Sequence, residues 1–225
     1  MSNERSAFTK QETQEELLKT IFVSLVTSLI VLGILYYVRL REVENLIPRF
    51  GIFLLLSIAT YAVIIPSIRH ARAYQEFPCM SGMMIGMTLG MIAGFLPALY
   101  VGATNGMFWG SIWGMTVGIV FGISAGKCCG IMGKMEGAMA GFMGSLMGAM
   151  TAVMMINDHL REMAVIAFII CAGIAYGLNV LMYQESRSFQ RKKAEDHTFT
   201  IISSFVLTVI TIWLIVFGPR SPLFQ

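Results

Sequence analysis

From Gly82 to Gly130 the chain repeats a small residue at every fourth position. Gly82, Gly86, Gly90 and Gly94 lead to Ala98, and Gly102, Gly106, Gly110, Gly114, Gly118, Gly122, Gly126 and Gly130 follow in the same register. A second row runs through Gly133, Gly137 and Gly141 to Ser145, with Gly144 and Gly148 beside it. A four-residue period lines up on one face only in an α-helix. Small residues at i and i+4 flatten that face, so two backbones can approach closely, with crossings of about −40° as the expected geometry. In water such a helix would suffer, since each glycine costs about 1 kcal/mol relative to alanine. In lipid an unpaired backbone is costlier still, so the helix persists. The pattern therefore predicts tightly packed membrane helices, a glycine zipper, and by itself says nothing of activity.

The surrounding sequence agrees. The chain of 225 residues is 56% hydrophobic and 13% charged, against about 25% charged for soluble domains. Seven apolar runs are long enough to cross a bilayer core of about 30 Å: 20–38, 50–68, 79–102, 104–126, 131–156, 163–182 and 199–217. Pro48 and Pro66 mark boundaries around the second run, and Pro97 is expected to kink or shorten the third. The first run is too long for a signal-peptide core and lacks an A-x-A cleavage site, so it reads as a retained anchor. Thr9 and Glu12 before it have capping-box spacing. The predicted class is an all-α, polytopic membrane bundle of about seven transmembrane helices with a glycine-zipper core in spans three to five. Its parts are a polar tail (1–19), two ordinary spans (20–78), a Gly/Met-rich three-helix core (79–156), and two further spans joined by a basic loop (157–225). Of the sixteen Lys and Arg, eleven fall on the N-terminal side of these spans. The positive-inside rule then places the N-terminus in the cytoplasm, and the plasma (inner) membrane is the expected location. The loop at 39–49, with three arginines, runs against that count.

Several functions are disfavoured. The net charge of +3 comes from loops and ends and forms no basic stripe, so no nucleic-acid partner is expected. No phosphate-binding loop, nucleophile elbow, HExxH or paired-carboxylate arrangement occurs, so the chain is not expected to be an enzyme. The four cysteines do not form a secreted disulfide framework, and Cys171 stands alone in span six as a packing residue.

Methionine is the second unusual feature. The chain has eighteen, mostly between Met80 and Met155. At about 100° per residue, Met132, Met139, Met143, Met147, Met150 and Met154 share one face of span five, with Met135 at its edge. Glu136 falls on that face, and so do Cys128 and Cys129 if the helix begins early enough. Gly133, Gly137, Gly141, Gly144 and Gly148 lie opposite. Span three repeats the arrangement: Met80, Met83, Met84, Met87 and Met91 lie away from Gly82, Gly86 and Gly90. Span four has the longest glycine run, with Trp109 and Trp113 on its outer side, which predicts that it is the spine against which spans three and five pack.

Thioether and thiol sulfur are soft ligands that select Cu(I), whereas Mg or Ca would need oxygen. The bland alternative is that methionine is a flexible filler on a lipid-facing side. Met83-x-x-x-Met87 and Met139-x-x-x-Met143, beside Gly-x-x-x-Gly pairs, resemble the MxxxM and GxxxG signatures of the high-affinity copper transporter (CTR) family. In that family the methionines line a Cu(I) pore and the glycines pack the helices. The resemblance covers the middle third of the chain. The family has three spans, with MxxxM and GxxxG on separate helices; here both share single helices, so the likeness is one of motif and not of the whole chain.

The sequence thus predicts a membrane protein that binds or conducts soft metal ions, Cu(I) foremost, through a Met/Cys track between spans three and five. Cys79, Met80, Cys128, Cys129 and Met132 would gather at the cytoplasmic mouth, and Met83, Met87, Met91, Met139, Met143 and Met147 would relay the ion. Glu136 is a candidate ion relay, because charges inside spans are functional candidates by default, while Lys134 can snorkel to the nearby edge. Asp158 and His159 sit at the other mouth. Two alternatives stand beside this: a glycine-zipper structural or assembly module, and a channel or carrier for another ion or small solute centred on Glu136 and Lys134. Expected partners are the lipid bilayer and either a second copy or another membrane protein.

Overall fold

The structure, a computed structural model, describes residues 46–73, 79–186 and 197–218, with Phe22, Val26, Ile30 and Gly33 as isolated positions. The first predicted span otherwise lies outside the described residues, as do the polar tail and most of the basic loop. The described chain is all-helical: α1 (Leu46–Ala73), α2 (Cys79–Asn105), α3 (Met107–Ala125), α4 (Gly130–Met154), α5 (Leu160–Ser186) and α6 (His197–Phe217), with a short 3-10 turn (Gly126–Cys129) between α3 and α4. Five of these helices, α1 to α5, are long and apolar enough to cross a membrane, and α6 carries a shorter apolar stretch, Ile202–Val216.

Glycine sets the two tight connections. Gly106 (φ 94°) separates α2 from α3, and Gly130 (φ 66°) starts α4. Both conformations are left-handed and suit a residue without Cβ. Gly106, predicted as a helix-packing residue, is thus a turn residue: the four-residue row passes through a reversal of the chain.

α2, α3 and α4 form an up-down-up trio whose small residues meet in layers. Gly86 lies with Gly126 and Gly133, Gly90 with Gly122 and Gly137, and Gly94 with Gly118 and Gly141. Ala98 with Gly114 and Ser145, and Gly102 with Gly110 and Ala149, extend the stack at either partner. A Cβ on Gly90 would come within 2.6 Å of the Gly137 carbonyl oxygen, and one on Gly94 within 2.5 Å of that of Gly141. Such spacing brings Cα–H groups onto facing carbonyls, a contact worth about 0.5–1 kcal/mol each. Gly144 and Gly148 extend the contact toward α2, opposite the backbones of Met91 and Phe95.

The central helix is α2, not α3 as predicted. α1, α5 and α6 pack against its back through Ile85, Leu89, Ile92, Leu96, Leu99 and Tyr100, all buried. Glycine-row length measures how closely a helix can be approached, not how many neighbours it has. The prolines also differ from expectation. Pro66 lies inside α1, and α2 runs through Pro97 to Asn105 without being shortened. Neighbouring helices shield the backbone that proline leaves unpaired, as membrane bundles allow.

A hydrogen-bonded cluster ties the outer helices to this trio. The Thr211 hydroxyl donates to the Leu207 carbonyl at 2.7 Å. Its oxygen must therefore accept from Tyr61 Oη–H at 2.6 Å and from Trp113 Nε1–H at 3.2 Å. By the same logic Thr60 donates to Leu56, and Tyr100 donates to Thr60 at 3.1 Å. Trp113, predicted on the outer side, is turned inward by this bond, whereas Trp109 is exposed. Asn105 donates to the Leu214 carbonyl and pins the end of α2 to α6.

Two outcomes follow for stability. Gly90→Ala or Gly94→Ala forces Cβ into backbone and is expected to destabilise the detergent-solubilised protein by about 1–3 kcal/mol. Gly173→Ala or Gly177→Ala on α5, where a Cβ would meet nothing within 4 Å, is expected to be neutral or stabilising by up to about 1 kcal/mol; thermal melts compare them. Thr211→Val strands the buried Tyr61 donor and the partly buried Trp113 donor and should cost about 1–3 kcal/mol, more than Tyr61→Phe, which leaves the Thr211 oxygen its bond from Trp113.

Candidate functional site: a methionine face

The glycine layers decide where the methionines go. With the small face of α2 and α4 turned inward, the opposite face turns out. Among α2 residues with described side chains, the exposed ones are Met80, Met84, Met87 and Met91 and no others. On α4 the exposed set is Met132, Met135, Met139, Met143, Met147, Met150 and Met154, with Gly130, Ile131 and Phe142. Met83 is only partly exposed.

The two stripes adjoin. α2 and α4 run parallel, and the Met91 backbone lies against Gly144 while that of Phe95 lies against Gly148. Taken with the layers Gly86–Gly133 and Gly90–Gly137, these contacts set Glu136 level with residues 83–89 of α2, the stretch that carries Met83 and Met87. The methionines of both helices therefore border one seam on the outer surface. The sulfurs do not face each other across an inner passage, because backbone fills the space between α2 and α4. A track between these helices, as predicted, has no room in the interior; any sulfur path lies along the outer seam.

The protein builds its other outward faces differently. On α5 they are Val165, Ile166, Ile169, Ile170, Ile174 and Val180, and on α6 Ile202, Phe205, Val206, Ile210 and Trp213. α3 shows Met107 at its first position, then Phe108, Trp109, Ile112 and Val120. Lipid contact alone thus does not dictate methionine in this chain.

The predicted mouth is partly assembled by the backbone. Cys79 opens α2, and Cys128 and Cys129 lie in the 3-10 turn that packs against the start of α2 and α4. Met80 and Met132 are exposed at the same end. The side chains of these three cysteines lie outside the described residues. At the opposite end Asp158 and His159 are exposed, and His159 Nδ1 lies 3.5 Å from Glu162 Oε1. No group of three or more His, Cys, Asp or Glu side chains that could hold a metal occurs among the described residues; a site here would rest on thioethers. Cys171 is half-buried against the apolar core.

Glu136 and Lys134 are the charged residues inside α4. Two positions apart, they point about 160° away from each other, and each is partly exposed. The Tyr61–Thr211–Trp113 cluster has only a weak mark in the sequence. Its signal was present as hydroxyls at Ser204, Thr208 and Thr211, spaced for one face of a helix.

Comparison with protein-family models, curated proteins and solved structures gave no match.

The outward orientation is open to measurement. In liposomes, a photoactivatable lipid probe is expected to label Met139, Met143 and Met147 and to spare the fully buried Met182, read by peptide mass spectrometry.

Proposed function

We propose that this protein binds or conducts soft metal ions, with Cu(I) as the principal candidate, on a thioether face formed by α2 and α4. The observation that carries the reading is the exclusive use of methionine among the exposed side chains of α2, continued along α4, in a chain whose other helices turn outward mainly with Ile, Val, Leu and aromatic residues and a single exposed methionine, Met107. Soft sulfur selects Cu(I) over hard cations, and the MxxxM and GxxxG likeness to the CTR family points the same way. Cys79, Cys128 and Cys129 would pass the ion to or from the face at one end. In this reading the chain has seven spans, the first at 20–38, with its N-terminus in the cytoplasm.

A second reading is favoured by the glycine layers: a glycine-zipper assembly module whose methionine face docks a second copy or another membrane protein. The two readings separate under one substitution series. Met84, Met87, Met139, Met143 and Met147 changed together to Leu should preserve folding, since Met and Leu are of similar volume. The metal reading expects bound copper, measured by elemental analysis of protein purified from copper-supplemented cells, to fall at least severalfold. The assembly reading expects copper to be unaffected and charged replacements on the exposed face, Met139→Lys with Met143→Lys, to break association, measured by cross-linking in nanodiscs.

A further inference from the structure

We infer that Glu136 is the counter-charge of a discrete cation site on the α2–α4 seam, with Met132 and Met139 of α4 and Met83 of α2 as the sulfur ligands. The inference rests on the reading that the methionine face takes a soft monovalent cation. Thioethers are neutral, so an ion held by sulfur alone keeps its full positive charge. In hydrocarbon, an uncompensated charge is costly. A path made only of methionine would therefore be unstable at membrane depth unless an anion lay on it.

Glu136 occupies that place. α1 to α3 carry no acidic residue in their membrane-crossing stretches, and on α5 Glu162 belongs to the first turn. Glu136 lies about one and a half turns inside α4. On that helix Met132 precedes it by four residues and Met139 follows by three, the spacings at which helical side chains meet. The backbone contacts of Gly86 with Gly133, Gly90 with Gly137 and Met91 with Gly144 set Glu136 level with the stretch of α2 that carries Met83 and Met87. Lys134 points to the other side of the helix, toward the end of α3, where its backbone nitrogen lies close to Gly126. It is poorly placed to neutralise the carboxylate. Glu136 forms no ion pair among the described residues. The site draws its ligands from two helices locked by the layers Gly86–Gly126–Gly133 and Gly90–Gly122–Gly137, so their relative height is fixed.

The full chain in lipid nanodiscs, titrated with Ag(I) as a redox-inert probe for Cu(I), tests this. Glu136→Gln is expected to weaken the tightest Ag(I) site at least tenfold, whereas Glu136→Asp, which keeps the charge, stays within about threefold of the parent. Met83→Leu with Met139→Leu should remove that site and leave weaker ones on the rest of the face. If Glu136→Gln binds Ag(I) as the parent does while the methionine substitutions abolish binding, the counter-charge inference is overturned and the thioether reading stands. If neither set alters binding, both fall. Retained helicity and melting temperature in each variant confirm that the comparison is between folded proteins.

Discussion

The close approach of three backbones governs the rest of this molecule. Gly90, Gly122 and Gly137, and the layers above and below them, leave nothing larger than alanine or serine in the centre of the α2–α3–α4 trio. In lipid there is no hydrophobic drive to bring helices together, so dispersion and Cα–H···O contacts at short range must supply it. Their short range makes the register strict. A shift of one residue would push a methionine or phenylalanine into a space sized for a hydrogen atom. The parallel pairing of α2 with α4 and the antiparallel pairing of both with α3 follow from the same layers and the two glycine-based connections.

The outer helices are held by different means. α1, α5 and α6 pack on the back of α2 through ordinary Ile, Leu and Tyr side chains. Directed hydrogen bonds are added where polar groups are buried: Tyr61 and Trp113 to Thr211, Tyr100 to Thr60, Asn179 to Ser67 at 3.0 Å. Membrane hydrogen bonds of this kind average well under 2 kcal/mol each, so they select orientation more than they supply stability. α2 thus belongs to two interfaces of opposite character. One admits only glycine and alanine, and the other is filled by large side chains. What remains of its surface is the narrow band carrying Met80, Met84, Met87 and Met91.

How much of this could be read from the sequence depended on whether the signal was local. The helical character of α2 to α4 and the shared face of Gly86, Gly90 and Gly94 are properties of spacing, which a sequence displays directly. The turn at Gly106 was hidden because it falls in register with the row, and only the left-handed φ reveals it. Pro66 and Pro97 mislead for a related reason: in a membrane bundle the penalty for proline is offset by neighbours the sequence does not name. The position of Trp113 depended on Thr211, nearly a hundred residues away. For the methionines, periodicity showed that they lie opposite the glycines. It could not show that the two stripes adjoin on an outer seam, because that depends on the parallel register of α2 and α4.

Rigid backbone and flexible side chain are here combined on the same helices. A methionine has three rotatable bonds and adapts its sulfur to whatever lies beside it. Alone, that freedom makes a poor ligand array, since each sulfur must be ordered when an ion arrives, at an entropic cost of up to about 2 kcal/mol per side chain. Glycine packing offsets part of this by fixing the Cα positions. Along α4 the step from Met139 to Met143 to Met147 is four residues, about 6 Å of rise, and the fixed register with α2 brings a second set of sulfurs to the same seam. The donors would then differ in rotamer but not in origin. A cation could exchange one thioether for the next without any helix moving, and only where a negative charge offsets its own would it pause. The same small residues that make the core inert would, on this argument, give the methionine face its order.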